Sequence, residues 1–544
     1  MRAAKMTKSI SIARLLLAPI MAVFLGAAAH AAVPGITGPT FNLTAQTAFL
    51  NQPDGNAVYS WGYGCNGTPS GTAPSAMTVA CPSMQVPGPT LIVTEGQTVT
   101  VTLTNGLPAP VGNTSILFPG FIVTATGGVQ GLLTQEAAPG GSVTYTFVAS
   151  SPGTHSYYSG TQGDLQIEMG LYGAVIVIPN NIPAACTAGL PTTNPGGNLA
   201  AQAFWGETDF RLARAAYDHP KACYDREYLF QWAEMDTNIH RTALAQVTAL
   251  GNCTAGAAGC SLEVPTEPYH PAYFLINGRS MPDLMDANFA AEYPHQPYNG
   301  NPHMHPGELT LIRAIGQGRW QHPFHEHANH VRILARDGNM VLAPDGTDLA
   351  GQLMFNTDTT PGDAFDGIFY FTGRGLNWDP YGHNPKSTDP NAKLSCSPDA
   401  NGYNTSAPTA INYFEWCQDH NKPLEVAPFG DVAGGGPATL PSANIFTNGA
   451  WYGGTPYLGP DATLRGGATQ ACVSPTGSTA ANGASPCSSL QPSNIQANPA
   501  NERGWAYMWH SHNEREITTN NVFPGGMLMM MLVDSREFVI DESN

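Results

Sequence analysis

The sequence is poor in charge, and in positive charge most of all. Only 11% of its 544 residues are charged, with 22 Lys and Arg against 40 Asp and Glu. A formal net charge of −18 repels phosphate, which makes nucleic acid and anionic membrane surfaces poor partners. Beyond residue 31 no apolar run approaches the roughly 20 residues that a spanning helix needs, so the chain reads as not transmembrane. A GxSxG elbow and a GxxxxGK[ST] phosphate loop are both missing. Asp and Glu are too scattered to nominate a carboxylate pair for hydrolysis. None of the 10 cysteines has the close CxxC spacing of a metal site.

What the chain does hold is 59 Gly and 46 Pro, a composition that suits an all-β, loop-rich protein. Its length allows about two to four domains. The first residues read as a signal peptide, expected over 1–31. Arg2, Lys5, Lys8 and Arg14 give a positive start, Leu15 to Ala29 an apolar run, and Ala29-His30-Ala31 a small-x-small cleavage site. Export puts the protein in the periplasm, outside the cell or at its surface, where cysteines pair. Their order suggests local disulfides: Cys65–Cys81, Cys186–Cys223, Cys253–Cys260, Cys396–Cys417 and Cys472–Cys487.

Strand patterns organise the remainder. TLIVTEGQTVTVTLTN reads as two strands around Glu95-Gly96, GGSVTYTFVAS as another, and LYGAVIVIP as a buried strand stopped by Pro179. These place a β-sandwich over 40–180. A linker rich in Gly, Asn, Pro and Thr follows at about 180–198. A second β-rich unit, 199–544, carries YLFQWAEMD, AYFLING and GELTLIRAIG. It is interrupted at about 376–501 by a loop-rich insertion stapled by two of the expected disulfides, and resumes at GWAYMWHSH.

Histidine is the residue that points to chemistry. His322, His325, His327 and His330 fall in HPFHEHANH, and His510 and His512 flank Ser511 in WHSH. Residues two apart on a strand share a face, so His325 with His327, and His510 with His512, form two HxH pairs. Neutral imidazole suits copper, zinc and iron. Glu326, between two of these histidines, reads either as an outer acceptor behind them or as a partner of Arg332 or Arg336. His303-Met304-His305 reads as an auxiliary copper site or as core. Met529, Met530 and Met531 read as core packing.

At these segments the chain resembles the multicopper oxidases, the family of laccases and related bacterial two-domain enzymes. GPTLIVTEGQTVTVTLTN, TSILFPGF, GGVQGLLTQEAAPGGSVTYTF and GTHSYYSGTQ…GLYGAVIV follow the family's order. So do DREYLFQWAEMD, FLING, HPGELTLIRAI, HPFHEH and WHSHNERE…PGGM. The resemblance covers most of the chain apart from the insertion. It implies two cupredoxin-like Greek-key sandwiches, the second holding the long disulfide-stapled insertion.

The family's active form passes electrons from a type 1 copper, held by two histidines and a cysteine, to a trinuclear cluster bound by four HxH pairs. Carried onto this sequence, His325, His327, His510 and His512 occupy cluster positions and His322 a type 1 position. Ser511 stands at the thiolate position and Glu516 at the second type 1 histidine. Met527 matches the axial methionine, at longer spacing. In the first unit Leu117 and Pro119 replace one histidine pair, and Tyr158 and Gly160 the other. A hydroxyl cannot supply the soft thiolate of a blue site. The ligand set therefore predicts no type 1 copper and no complete trinuclear cluster.

Three functions stay open on this reading. One is an exported copper-binding protein with a reduced, mononuclear histidine site, about one copper per chain, some oxidoreductase activity, and a small-molecule or metal-ion substrate. Tyr158 would lie opposite that site, filling the cavity or reaching the metal. Another is a metal-free periplasmic or cell-surface scaffold docking a partner through 376–501. The third is an oxidase completed by a different chain. Two-domain relatives assemble clusters between subunits as trimers, but identical subunits of this sequence would bring only Leu117, Pro119, Tyr158 and Gly160.

Overall fold

The computed structural model describes residues 33–75, 77–187, 209–371, 396–405, 413–414, 416–417, 455–457, 504–534 and 540. The expected signal peptide, most of the 376–501 insertion and the Cys472–Cys487 pair lie outside these residues. Among the described residues the other four expected disulfides are formed: Cys65–Cys81, Cys186–Cys223, Cys253–Cys260 and Cys396–Cys417.

The alternating segment Thr98–Asn105 buries every second residue. It pairs antiparallel with Ser142–Val148, which alternates in the same way, Val101 facing Tyr145. Leu91–Thr94, just upstream, joins the opposite sheet. The chain crosses between the two layers at Gly96, whose φ of +83° is open to glycine at no steric cost. Tyr172–Ile178 is apolar throughout because both its faces are covered. Val175 and Val177 enter the first sandwich's own core, while Ala174 and Ile176 pack against Leu229, Ile315 and Ala364 of the second unit.

The second unit is built the same way. Arg226–Met235 is buried along its whole length, between Tyr273–Ile276 on one side and Leu309–Gly316, parallel, on the other, within a seven-stranded sheet. A six-stranded sheet containing His322–Glu326 and Gly504–Ser511 closes over it. Trp232, Phe324 and Trp509, none of them exposed, lie in the core between. The fold is all-β, two cupredoxin-like sandwiches. Polar contacts join them: Thr154 Oγ1 donates to Asp366 at 2.6 Å and Ser156 Oγ to Gln317 at 2.8 Å.

One helix was not legible as such. Thr237–Leu250 starts at Asp236, whose side chain accepts from Asn238 N–H, and stops at Gly251. It lays Ile239 and Ala243 against the first sandwich's core. No helix among the described residues is long and apolar enough to cross a membrane.

Candidate metal centre

His322–Glu326 and Gly504–Ser511 are antiparallel neighbours, with His325 opposite His510, Phe324 opposite Ser511 and Glu326 opposite Trp509. Opposed residues share a face, so the pairing sorts the side chains into two sets. Phe324, Glu326, Trp509 and Ser511 point inward and are 0% exposed. The imidazoles gather on the outer face.

There, one ligand atom from each of His325, His327 and His510 lies within 4.8 Å of the others. His327 Nε2 and His510 Nε2 are 3.3 Å apart. His510 Nδ1 lies 2.7 Å from the Ser511 carbonyl. A carbonyl only accepts, so Nδ1 carries the proton and Nε2 keeps its lone pair for the centre. The exposed His512 sets its ring edge against His325, centroids 4.5 Å apart, but stays outside the three-atom group.

Burial first, and then the neighbouring His510 and His512, pull His325 down to about 4. Burial and the other three rings pull His327 down to about 3. Burial also lowers His510. These three imidazoles are neutral at pH 7, the form in which histidine binds a metal.

His322 differs on every count. Its Nδ1 is 2.8 Å from Glu516 Oε2 and its Nε2 is 2.8 Å from Glu234 Oε2, all three side chains being buried. Burial alone would lower its pKa, but the two carboxylates outweigh it and push the ring up to about 9. With both nitrogens held as donors, His322 is a buried cation. Expected among the metal ligands, it stands apart from them.

Glu516 reaches His322 from a short 3-10 turn, Glu514–Ile517, capped by Asn513. Its Oε2 also accepts from Ser511 Oγ at 2.5 Å, and its Oε1 from Asn513 Nδ2 at 2.8 Å. Glu234 accepts from the Arg319 and Trp320 N–H groups and from the Tyr269 hydroxyl, which also bonds Glu168. Sequence reading missed Glu234. A carboxylate inside a ten-residue buried strand does signal a buried partner, but nothing in the local sequence says which one.

The structure places four further candidates as follows. Met527 is a core residue, and its carbonyl accepts from Ser511 N–H at 3.0 Å. Met304 lies in the same core, and His303 and His305 are buried beside it, outside any metal group among the described residues. Tyr158 lies beside Gly362 and pairs with Leu117 through the backbone. Glu326 neither backs the histidines nor meets an arginine. Both its oxygens are buried without a hydrogen-bond partner among the described residues. Burial holds its pKa well above the carboxylate range, favouring the protonated form.

The donor set of this centre is entirely imidazole, which suits copper or zinc and not calcium or magnesium. Comparison with known proteins finds likeness to copper proteins over one segment. Residues 68–182 match the multicopper oxidase family model. The multicopper oxidase MCE of Talaromyces pinophilus is 36% identical over 107 residues, 19% of this chain and 17% of that protein. The laccase abr2 of Aspergillus fumigatus is 35% identical over 116 residues, 21% and 18% of the two chains. A copper resistance protein A homolog of Pseudomonas syringae pv. tomato is 36% identical over 109 residues, 20% and 17%. Each match thus spans less than a fifth of the relative's length. Among solved structures, a blue copper oxidase from Nitrosomonas europaea aligns over 90% of this chain and 85% of its own, at 14% identity and a TM-score of 0.42. The likeness to the multicopper oxidase family is thus carried by the segment 68–182 of the first sandwich.

Proposed function

We propose that the protein is an exported member of the family that binds one copper ion at His325, His327 and His510, with His512 beside them as a further donor. One observation carries this reading: three neutral imidazoles present ligand atoms within 4.8 Å of one another on one sheet face. His510 is fixed by the Ser511 carbonyl in the tautomer that leaves Nε2 free. Copper, when bound, supplies Lewis-acid and one-electron chemistry. The chain itself holds the imidazoles unprotonated and leaves an open side at the exposed His512. That opening suits a small molecule or a second metal ion as substrate, with oxidoreductase activity lower than a complete cluster would give. The electron-entry copper has no place here, since Ser511 offers no thiolate and Glu516 is hydrogen-bonded to His322. The periplasm or cell surface is the proposed location.

Titrating the metal-free protein with cupric ion, followed by electron paramagnetic resonance, tests this. Wild type is expected to saturate at one equivalent. His327→Ala and His510→Ala are each expected to weaken binding beyond the roughly 10–100-fold that loss of an outer-shell contact produces. Binding that survives both substitutions unchanged would place the copper elsewhere.

A further inference from the structure

The carboxylate of Glu516 touches both histidine strands at once, on the face away from the metal centre. On one strand Glu516 Oε2 meets His322 Nδ1 at 2.8 Å, three residues before His325. On the other it accepts from Ser511 Oγ at 2.5 Å, between His510 and His512. Its second oxygen is held by Asn513 Nδ2 at 2.8 Å, and the Asn513 N–H donates to Ser511 Oγ at 3.2 Å. His322 is anchored in turn by Glu234 at 2.8 Å. Glu234 is fixed by the Arg319 N–H at 2.7 Å and the Trp320 N–H at 2.9 Å. Tyr269 joins Glu234 to Glu168, and the Arg319 guanidinium lies 4.1 Å over the Tyr269 ring.

We infer that Glu516, with Ser511 and His322, is a clasp that positions the metal-binding histidines by tying their two strands together. In the complete family, the resemblance implies a copper ion at this point, bonded to both strands. Here hydrogen bonds to a buried carboxylate make the same connection without a metal. Two features make the clasp effective. Ser511 is the residue whose carbonyl orients the His510 ring, so fixing its side chain fixes the plane of a ligand. Both strands are short where they meet, with three Cα pairs in register, so a side-chain tie adds a large fraction of the contact. Glu516, Ser511 and His322 are positioning residues, since none of them presents an atom to the centre. This inference rests on the copper reading for its functional consequence and on geometry alone for its mechanical one.

The test uses Ser511→Ala, Ser511→Thr and Glu516→Ala in the full chain. Ser511→Ala deletes only the hydroxyl tie and is the variant expected to fold unaided. Its cupric dissociation constant is expected to rise about 10–100-fold, with a changed resonance hyperfine pattern, while Ser511→Thr keeps the hydroxyl and restores both. In the metal-free protein, hydrogen exchange in Ser511→Ala and Glu516→Ala is expected to quicken at the His325–His327 and Trp509–Ser511 amides and to stay unchanged in the first sandwich. Copper binding and exchange as in wild type would overturn the clasp, as would a threonine variant as impaired as the alanine one. A wild type that binds no copper, yet shows the exchange differences, would sink the copper reading and leave the clasp as a purely mechanical tie.

Discussion

His322 and His325 sit three residues apart on one short strand, and their surroundings drive them in opposite directions. The inward end is walled by two carboxylates, and the ring is held up at about 9. The outward end faces other imidazoles and, among the described residues, no carboxylate that raises it, and the ring falls to about 4. Burial disfavours charge at both positions, so it is not the discriminator. What decides is whether a buried counter-charge is supplied. Glu234 and Glu516 turn a histidine at a family metal position into an internal cation, while the lack of such groups keeps its neighbours free to ligate.

Removing a counter-charge should break this contrast most severely. Glu234→Ala leaves His322 beside a single carboxylate and should cost about 3–5 kcal/mol, as expected when a buried ion pair loses one partner. Chemical denaturation measures it, and a loss under about 1 kcal/mol would mean the pair is largely solvated.

Next in size are the pH limbs. The folded pKa of His322 lies above its ordinary 6.5, so its contribution is complete below 6.5 and disappears as pH rises through about 9. Thermal melts of wild type and His322→Gln should therefore differ most just below pH 6.5, less at pH 8, and converge as pH rises through about 9. His325 and His327 lie below 6.5. Their protonation opposes both folding and copper binding as pH falls. Copper should stay bound well under pH 6.5 and leave only toward about 4, which equilibrium dialysis across that range would show.

The smallest effect belongs to Glu326, whose oxygens are buried without partners. Glu326→Leu should stabilise the protein by about 1–3 kcal/mol, the cost of an unsatisfied buried polar group, without altering copper stoichiometry. Destabilisation instead would reveal a hydrogen-bond partner for that carboxyl.

A second contrast concerns what could be read from sequence. The first sandwich, over which the family match runs, has no histidine at any ligand position carried over from the resemblance. Leu117 and Tyr158 pair through the backbone, and an added Cβ at Gly160 would lie 2.8 Å from the Leu117 side chain. The second sandwich, outside that match, keeps the clustered histidines. Alternating segments such as TVTVTLTN reveal strands because burial repeats every second residue. The same period put His325 with His327, and His510 with His512. Glu234 lies 88 residues from His322 and meets it only through sheet closure, so no spacing rule could find it. The inward face of Glu326 followed from the strand period, but nothing local shows that no donor waits there. The placement of Tyr158 depended on how the two sandwiches dock, which strand patterns do not encode.

The central claim is that this chain carries one imidazole-bound copper and no thiolate-bound one. Elemental analysis of protein purified from its native compartment, paired with electron paramagnetic resonance, tests it most directly. The account predicts one copper per chain, nitrogen-coordinated, without the small hyperfine splitting of a blue site. Absence of copper, or three to four coppers per chain with a blue signal, would contradict it.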